Sequence, residues 1–420
     1  MCSSDLGVRP LLDALVREAP PPEVTAHHRG IALSGEPLAQ VLKTFYSPQG
    51  GKMSLVRVWR GEIREGDSLK GDRLGGIYEL FGSQSVSLSR ATAGQIVGIA
   101  RLDQAQTGDT LTPARLTPDP LPRIAKLDPV YALALTPVNR SDEVKLSGAM
   151  AKLLEEDPSL AWEQHGDTHE VILWGQGDSH LGLAMDRLNR KYNLPMTSHL
   201  PQVAYKETIG QATNSAHGRY KHQSGGHGQF GDVYLAIKPL SRGEGFSFKD
   251  TIAGGVVPRQ YIPSVETGVR EYLNHGPLGF PVVDVAVTLI NGSYHSVDSS
   301  DMAFKQAARL AMQEGMAACR PTLLEPIIQV HISVPTIYTA NVLKLISGRR
   351  GQILGYDGKA DWPGWDLVSG YVPQAEMQTM VLELRSLTMG VGFFHWSYDH
   401  LDPVPEKLME KVLAGLHSQS

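Results

Sequence analysis

Apolar and polar positions along the chain change period several times, and each change marks a new block. Leu11, Leu12, Leu15 and Val16 recur at helical spacing over Pro10–Arg17, and Pro20, Pro21 and Pro22 end that helix because proline cannot continue it. An isolated helix of this length is marginal in water, so residues 1–33 read as a remnant helix and linker that follow a missing domain. From 34 to 122 the pattern turns to short strands. Leu55–Arg60, Ser85–Leu88 and Gln95–Ala100 are separated by turn signals at Gly66-Asp67 and Gly71-Asp72. Strands this short and regular predict a small β-barrel, and the Pro-rich Leu116–Pro122 reads as a linker.

Over 123–201 the order becomes strand, helix, strand, strand, helix, strand. Val130–Leu135, a helix capped by Ser141 and running to Glu156, Trp162, Val171–Trp174 and the amphipathic Leu181–Tyr192 fit a ferredoxin-like βαββαβ domain. The same order returns over 324–402, with Ile327–Val334, Thr339–Ile346, Val368–Val372, a helix from Glu376 to Leu387 and a last strand near Gly392–Trp396. A closing helix, Pro405–Leu416, occupies 403–420. Between the two copies lies an α+β block, 202–323, that carries a helix from Met302 to Cys319. The fold class is thus multidomain α+β.

Composition narrows the chemistry. Hydrophobic residues at 41% and charged residues at 20% support packed cores and exclude a disordered chain. No stretch approaches the length of apolar chain needed to cross a bilayer, and Met1–Val8 lacks a basic start followed by an apolar core, so a cytoplasmic protein is expected. With only Cys2 and Cys319, neither a disulfide framework nor a cysteine zinc site can form. A net charge of −5 means that any contact with nucleic acid must come from local patches.

Three motifs suggest nucleotides or metals. Gly226-His227-Gly228-Gln229-Phe230-Gly231-Asp232-Val233 matches the glycine-rich loop of protein kinases, and Lys238 follows in Leu235–Lys238. The lysine of a kinase arrives on a later strand, however, and no room for a turn and second strand separates Gly231 from Lys238. Nor do H-R-D or D-F-G segments follow. The residues after Gly231 read as a strand, so these glycines suit either a hairpin tip or a loop whose bare amides approach a phosphate backbone. Tyr46–Ser54 contains Gly-Lys but fails the P-loop pattern at Tyr46 and Met53. This chain is therefore not expected to bind or hydrolyse a nucleoside triphosphate. Among His165, His169, His217, His222, His227 and His295, only His165 and His169 have the i, i+4 spacing of a metalloprotease, but Gly166 and Asp167 argue for a turn and no Glu follows His165, so all are read as loop or solvated histidines, with no metal and no catalytic residue assigned. Gly292–Asp301 is a second polar hairpin whose Ser299 or Ser300 caps the following helix.

Leu55–Leu69, Lys152–Leu160, Gly175–Arg187, Tyr205–Ile209, Lys221–Gly231, Gly276–Val283, Gly292–Phe304, Leu324–Pro326 and Ser347–Gly351 occur in the order in which matching segments occur in translation elongation factor G. Over essentially residues 34–405 the chain resembles that family from just past its nucleotide domain to its C-terminus. The resemblance implies a barrel like domain II, ferredoxin-like domains III and V, and a domain IV of ribosomal-protein-like fold. It implies a cytoplasmic, monomeric factor whose partners are the 70S ribosome (small- and large-subunit rRNA and the stalk base) and the tRNA–mRNA of the decoding region.

By the same resemblance, the tip of the middle domain falls on Ser224, Gly225, Gly226, His227, Gly228 and Gln229 and on Ser293, Tyr294, His295, Ser296, Asp298 and Ser299, with His295 at the family's tip histidine. Arg219, Lys221 and His222 beside the first loop, and Arg349 and Arg350 at a helix end, are candidate rRNA contacts. GTP and Mg would belong to the GTPase domain of the intact parent, and no cofactor is expected here. His227 and Asp232 stand where the family usually has arginine and histidine, and Gly175–Gly182 departs from G-M-G-E-L-H-L-E. These departures resemble the divergent elongation-factor-G-like paralogues, for which a recycling or tetracycline-protection role on the ribosome is the alternative to translocation.

Overall fold

The structure, a computed structural model, describes residues 7–46, 51–82, 84–113, 120–224 and 227–417. Most of the linker expected over Leu116–Pro122 lies outside the described residues. The chain divides into two compact units, one comprising 1–164 with 170–199 and the other 165–169 with 200–420.

The first unit begins with two helices, Val8–Glu18 and Pro22–His28. Sequence reading missed the second because it took Pro22 as a stop. Proline at the first helical position costs nothing, since that N–H has no helical partner anyway. Ala26 then packs with Ile31, Leu38 and Trp59.

The expected barrel is an open six-stranded sheet, ordered Thr110–Leu111, Leu38–Tyr46, Lys52–Arg60, Ile96–Ala100, Ile77–Phe81, Gln84–Leu88. Two short ribbons, Glu62–Arg64 with Arg90–Thr92 and Ser68–Leu69 with Asp72–Arg73, flank it instead of closing it. The left-handed turns at Gly61, Gly66 and Gly71 break the ladder too often for continuous pairing. Side chains complete the enclosure, with Ile63 and Leu69 joining Val41, Val56 and Ile99 in one apolar cluster. The four-stranded sheet that follows, Ala161–Gln164, Val171–Gly175, Tyr131–Pro137, Met196–His199, carries helices Glu143–Glu156 and Asp178–Tyr192 in the ferredoxin-like order. Ser141 does not cap the first of them. It lies in a 3-10 turn, Arg140–Asp142, and Asp142 precedes the helix, its carboxylate bound to Lys145.

In the second unit, a four-stranded sheet runs Thr213–Ser224, His227–Pro239, Val285–Ser293, Phe246–Asp250, its last pair parallel. Helix Ile262–Leu273 makes the crossover that parallel strands require. Val233, Leu235 and Ile237 alternate inward, as period two demands, onto Phe304, Ala307, Ala311 and Met312 of helix Asp301–Ala318. The approach is close enough to dictate glycine: a Cβ on Gly218 would lie 2.0 Å from the Ala307 carbonyl oxygen, and one on Gly231 2.5 Å from that of Ala303.

A second ferredoxin-like sheet, Phe393–Pro403, Pro321–Pro335, Trp365–Pro373, Gln352–Gly358, shares its long second strand with Lys206–Ile209. The helix expected over Glu376–Leu387 is divided into Gln374–Met377 and Met380–Leu387. The last strand runs well past Trp396, to Pro403.

Replacing Gly231 by Ala should therefore lower the stability of the middle domain by about 3 kcal/mol, the cost of overpacking against backbone that cannot move aside. Hydrogen exchange of the Asp301–Ala318 amides reads this directly, as uniformly faster exchange at unchanged protection in the first unit.

Candidate functional site

The two polar loops meet because the strand Val285–Ser293 pairs with His227–Pro239 in a register that sets Ser293 opposite Asp232. The chain leaving Ser293 must then pass beside Phe230, and it is tied there. Phe230 N donates to the Asp298 carbonyl at 2.8 Å, and the Ser299 hydroxyl donates to the Phe230 carbonyl at 2.9 Å while accepting from His295 N at 2.9 Å. Tyr261 Oη reaches the Ser299 carbonyl at 3.1 Å, with its ring stacked on Phe304 in the core. Of the two candidate caps, Ser300 is the one that accepts from Ala303 N, and Ser299 serves the loop.

His295 is half exposed. Its Nδ1 lies 3.2 Å from both the backbone N and a carboxylate oxygen of Asp298. The neutral ring with its proton on Nε2 accepts from the amide, whereas the protonated ring donates to the carboxylate, so Asp298 holds the ring in either state. The ring also meets Phe230 edge-on, with centroids 6.4 Å apart. Tyr294, Ser296 and Val297 are exposed around it. Gly228 lets the first loop lie against the second, since a Cβ there would come within 2.7 Å of the Asp298 carboxyl. Ser224 and His227 contribute a backbone pair at the hairpin end, and Gln229 pairs with His222. Gly225 and Gly226 lie outside the described residues.

Alternation separates the three basic candidates. Tyr220 and His222 stack on each other on the face that carries the helices, Tyr220 resting on the core. Arg219 and Lys221 project from the opposite, open face, both exposed, with the Arg219 guanidinium 5.5 Å over the Phe230 ring. On the same face Asp232 accepts from the Ser293 hydroxyl at 2.7 Å and sits 2.6 Å from His217 Nε2, whose ring stacks on Tyr234 at 4.3 Å. This clamp across three strands escaped sequence reading. Its trace was an acidic residue on an outward position of a strand, and only the register shows that His217 lies diagonal to it.

Serine, histidine and aspartate here do not form a nucleophilic set, because the carboxylate stands between the other two instead of behind the imidazole. Among the described residues no group of three or more metal-ligating side chains converges, and His165 accepts only from the nearby amides of Asp167 and Thr168.

Arg349 and Arg350 sit within their own domain. Arg349 donates to the Glu376 carbonyl, to Thr379 at 3.1 Å and to Glu383 at 2.6 Å. Arg350 forks onto buried Glu325 at 2.6 and 2.9 Å and reaches Glu376 at 3.0 Å. The hydrogen bonds it donates to Glu325 raise the affinity of that guanidinium for its proton, against burial, so it is charged at every accessible pH.

Four family models match successive stretches of the chain: elongation factor G domain 2 at 37–114, domain III at 128–199, domain IV at 201–320 and the elongation factor G C-terminus at 322–412. An elongation factor G-like protein of Synechocystis sp. (strain ATCC 27184 / PCC 6803 / Kazusa) is 62% identical over 405 residues, covering 96% of this chain. A crystal structure of a protein from Thermus thermophilus superposes with a TM-score of 0.79 at 36% identity over 99% of this chain. The chain spans 60% of the length of the first relative and 61% of the second.

Arg350→Gln should destabilise the C-terminal sheet by about 3 kcal/mol, because it strands the Glu325 carboxylate in a buried position. Thermal unfolding checks this, and Arg349→Gln, whose carboxylate partner Glu383 is half exposed, should cost less.

Proposed function

Because the chain belongs to the elongation factor G family, we propose that it is the ribosome-binding portion of a translation factor that promotes tRNA–mRNA movement, its fused tip entering the decoding region. One observation carries this reading: the loops at Gly228–Phe230 and Ser293–Ser299 are bonded into one polar end, beside the exposed Arg219 and Lys221. A rigid end of this kind suits RNA recognised by shape. Glycine lets backbone approach closely, hydroxyls and an imidazole offer bonds to phosphate and 2′-hydroxyl groups, and the flanking cations supply sequence-independent attraction.

His295 is the group proposed to meet the RNA, held at its ring nitrogen by Asp298. The open face behind it, with Phe230 under Arg219, follows the backbone. Arg349 and Arg350 are assigned to holding the last domain together, which makes any rRNA contact there dependent on fold and not on free charge. GTP hydrolysis would be the work of the part of the longer relatives that this chain does not span.

Co-sedimentation with bacterial 70S ribosomes across a salt series tests the proposal. Binding should weaken as salt rises, and Arg219→Gln or Lys221→Gln should each lower the slope of log affinity against log salt by about 1. His295→Ala should weaken binding while leaving that slope nearly unchanged. Absence of ribosome binding at every salt concentration would overturn the reading.

A further inference from the structure

A cavity of about 710 Å³ opens in the first unit, within the size range of small-ligand sites, about 300–1,000 Å³. Its lining includes Arg29, Arg57, Arg123 and Lys126 against a single carboxylate, Asp157. That carboxylate is already engaged by His180 at 3.0 Å and by the Ser159 hydroxyl. Arg123 is shared with Asp109, leaving the wall strongly cationic overall.

Two donors that lack an acceptor among the described residues belong to this lining. Trp59 lines it with only 6% of its surface exposed, and its Nε1–H is buried with no acceptor among the described residues. Arg57, which lies 4.3 Å over the indole, likewise buries an Nε–H without an acceptor. A desolvated donor without a partner is costly, and natural structures leave few of them. Here two stand on neighbouring outward positions of one strand, beside three further cations. Ile124 and Leu127, both exposed, are apolar members of the same lining.

We propose that this cavity binds a small phosphate-bearing ligand. Its phosphate group sits among Arg29, Arg57, Arg123 and Lys126, which balance its charge. Binding turns Arg57 Nε and Trp59 Nε1 out of cover to donate to the phosphate oxygens, and a less polar remainder lies against Ile124 and Leu127. Phosphate suits the site better than a carboxylate because one group must satisfy two donors and several cations at once. The inference is independent of the ribosome reading, since none of these residues belongs to the tip.

The test uses the full chain with ¹⁵N-labelled tryptophan and inorganic pyrophosphate as the probe, at constant ionic strength held by chloride. The expected result is a saturable shift of one indole N–H resonance, assigned to Trp59 by its loss in Trp59→Phe. Arg57→Gln should weaken the response about tenfold. Arg123→Gln and Lys126→Gln, both at exposed positions, should each weaken it about threefold and keep the spectrum of a folded protein. Phenyl phosphate should bind more tightly than inorganic phosphate. A resonance that does not move, that moves without saturating, or that responds equally in all three charge variants would overturn the proposal. So would a response to an RNA oligonucleotide with none to pyrophosphate.

Discussion

A close backbone approach in the second unit, helix Asp301–Ala318 against the hairpin of Thr213–Ser224 and His227–Pro239, is what the seating of the two polar loops depends on. Gly218 and Gly231 face the carbonyl oxygens of Ala307 and Ala303 with no room for a side chain. Ala303, Ala307 and Ala311 keep the opposing helix surface equally thin. Because that helix starts at Ser300, its seating fixes where the preceding loop ends. The loop has no choice but to lie along Phe230, where Ser299 bonds it in place. A kinase-like glycine pattern is thereby explained without a nucleotide: Gly231 answers the helix and Gly228 answers Asp298.

Carboxylates then decide which basic groups face outward. Asp232 takes His217 and the Ser293 hydroxyl, stiffening three strands. Glu325, Glu376 and Glu383 take Arg349 and Arg350, converting a basic pair at a helix end into a brace for the last sheet. Arg219 and Lys221 project from the open face instead. In a chain with net charge −5, local placement of this kind is the means by which an attractive surface for RNA can exist.

Much of the fold was legible because hydrophobic period carries it: most elements of both βαββαβ orders and the strand character after Gly231 follow from spacing, whereas the polar strands Met196–His199 and Gln352–Gly358 had no such signal. The two polar loops were singled out by resemblance, since glycines and hydroxyls have no periodic signature. What could not be read depends on register and long-range pairing. The His217–Asp232 pair is diagonal across a hairpin, Arg350 meets a glutamate 25 residues away, and the open edge of the first sheet reflects where turns interrupt a ladder. Pro22 at a helix start and the displaced cap at Ser141 show a local limit, as one residue type there serves opposite roles.

The Ser299 hydroxyl joins the two loops into one end. Hydrogen exchange and ribosome affinity measured together on Ser299→Ala test it most directly. Faster exchange is expected at the Phe230 and His295 amides, with unchanged protection in helix Asp301–Ala318 and affinity reduced about tenfold, the order set by losing one hydroxyl that bonds both loops. Loosened loops with full ribosome affinity would contradict it.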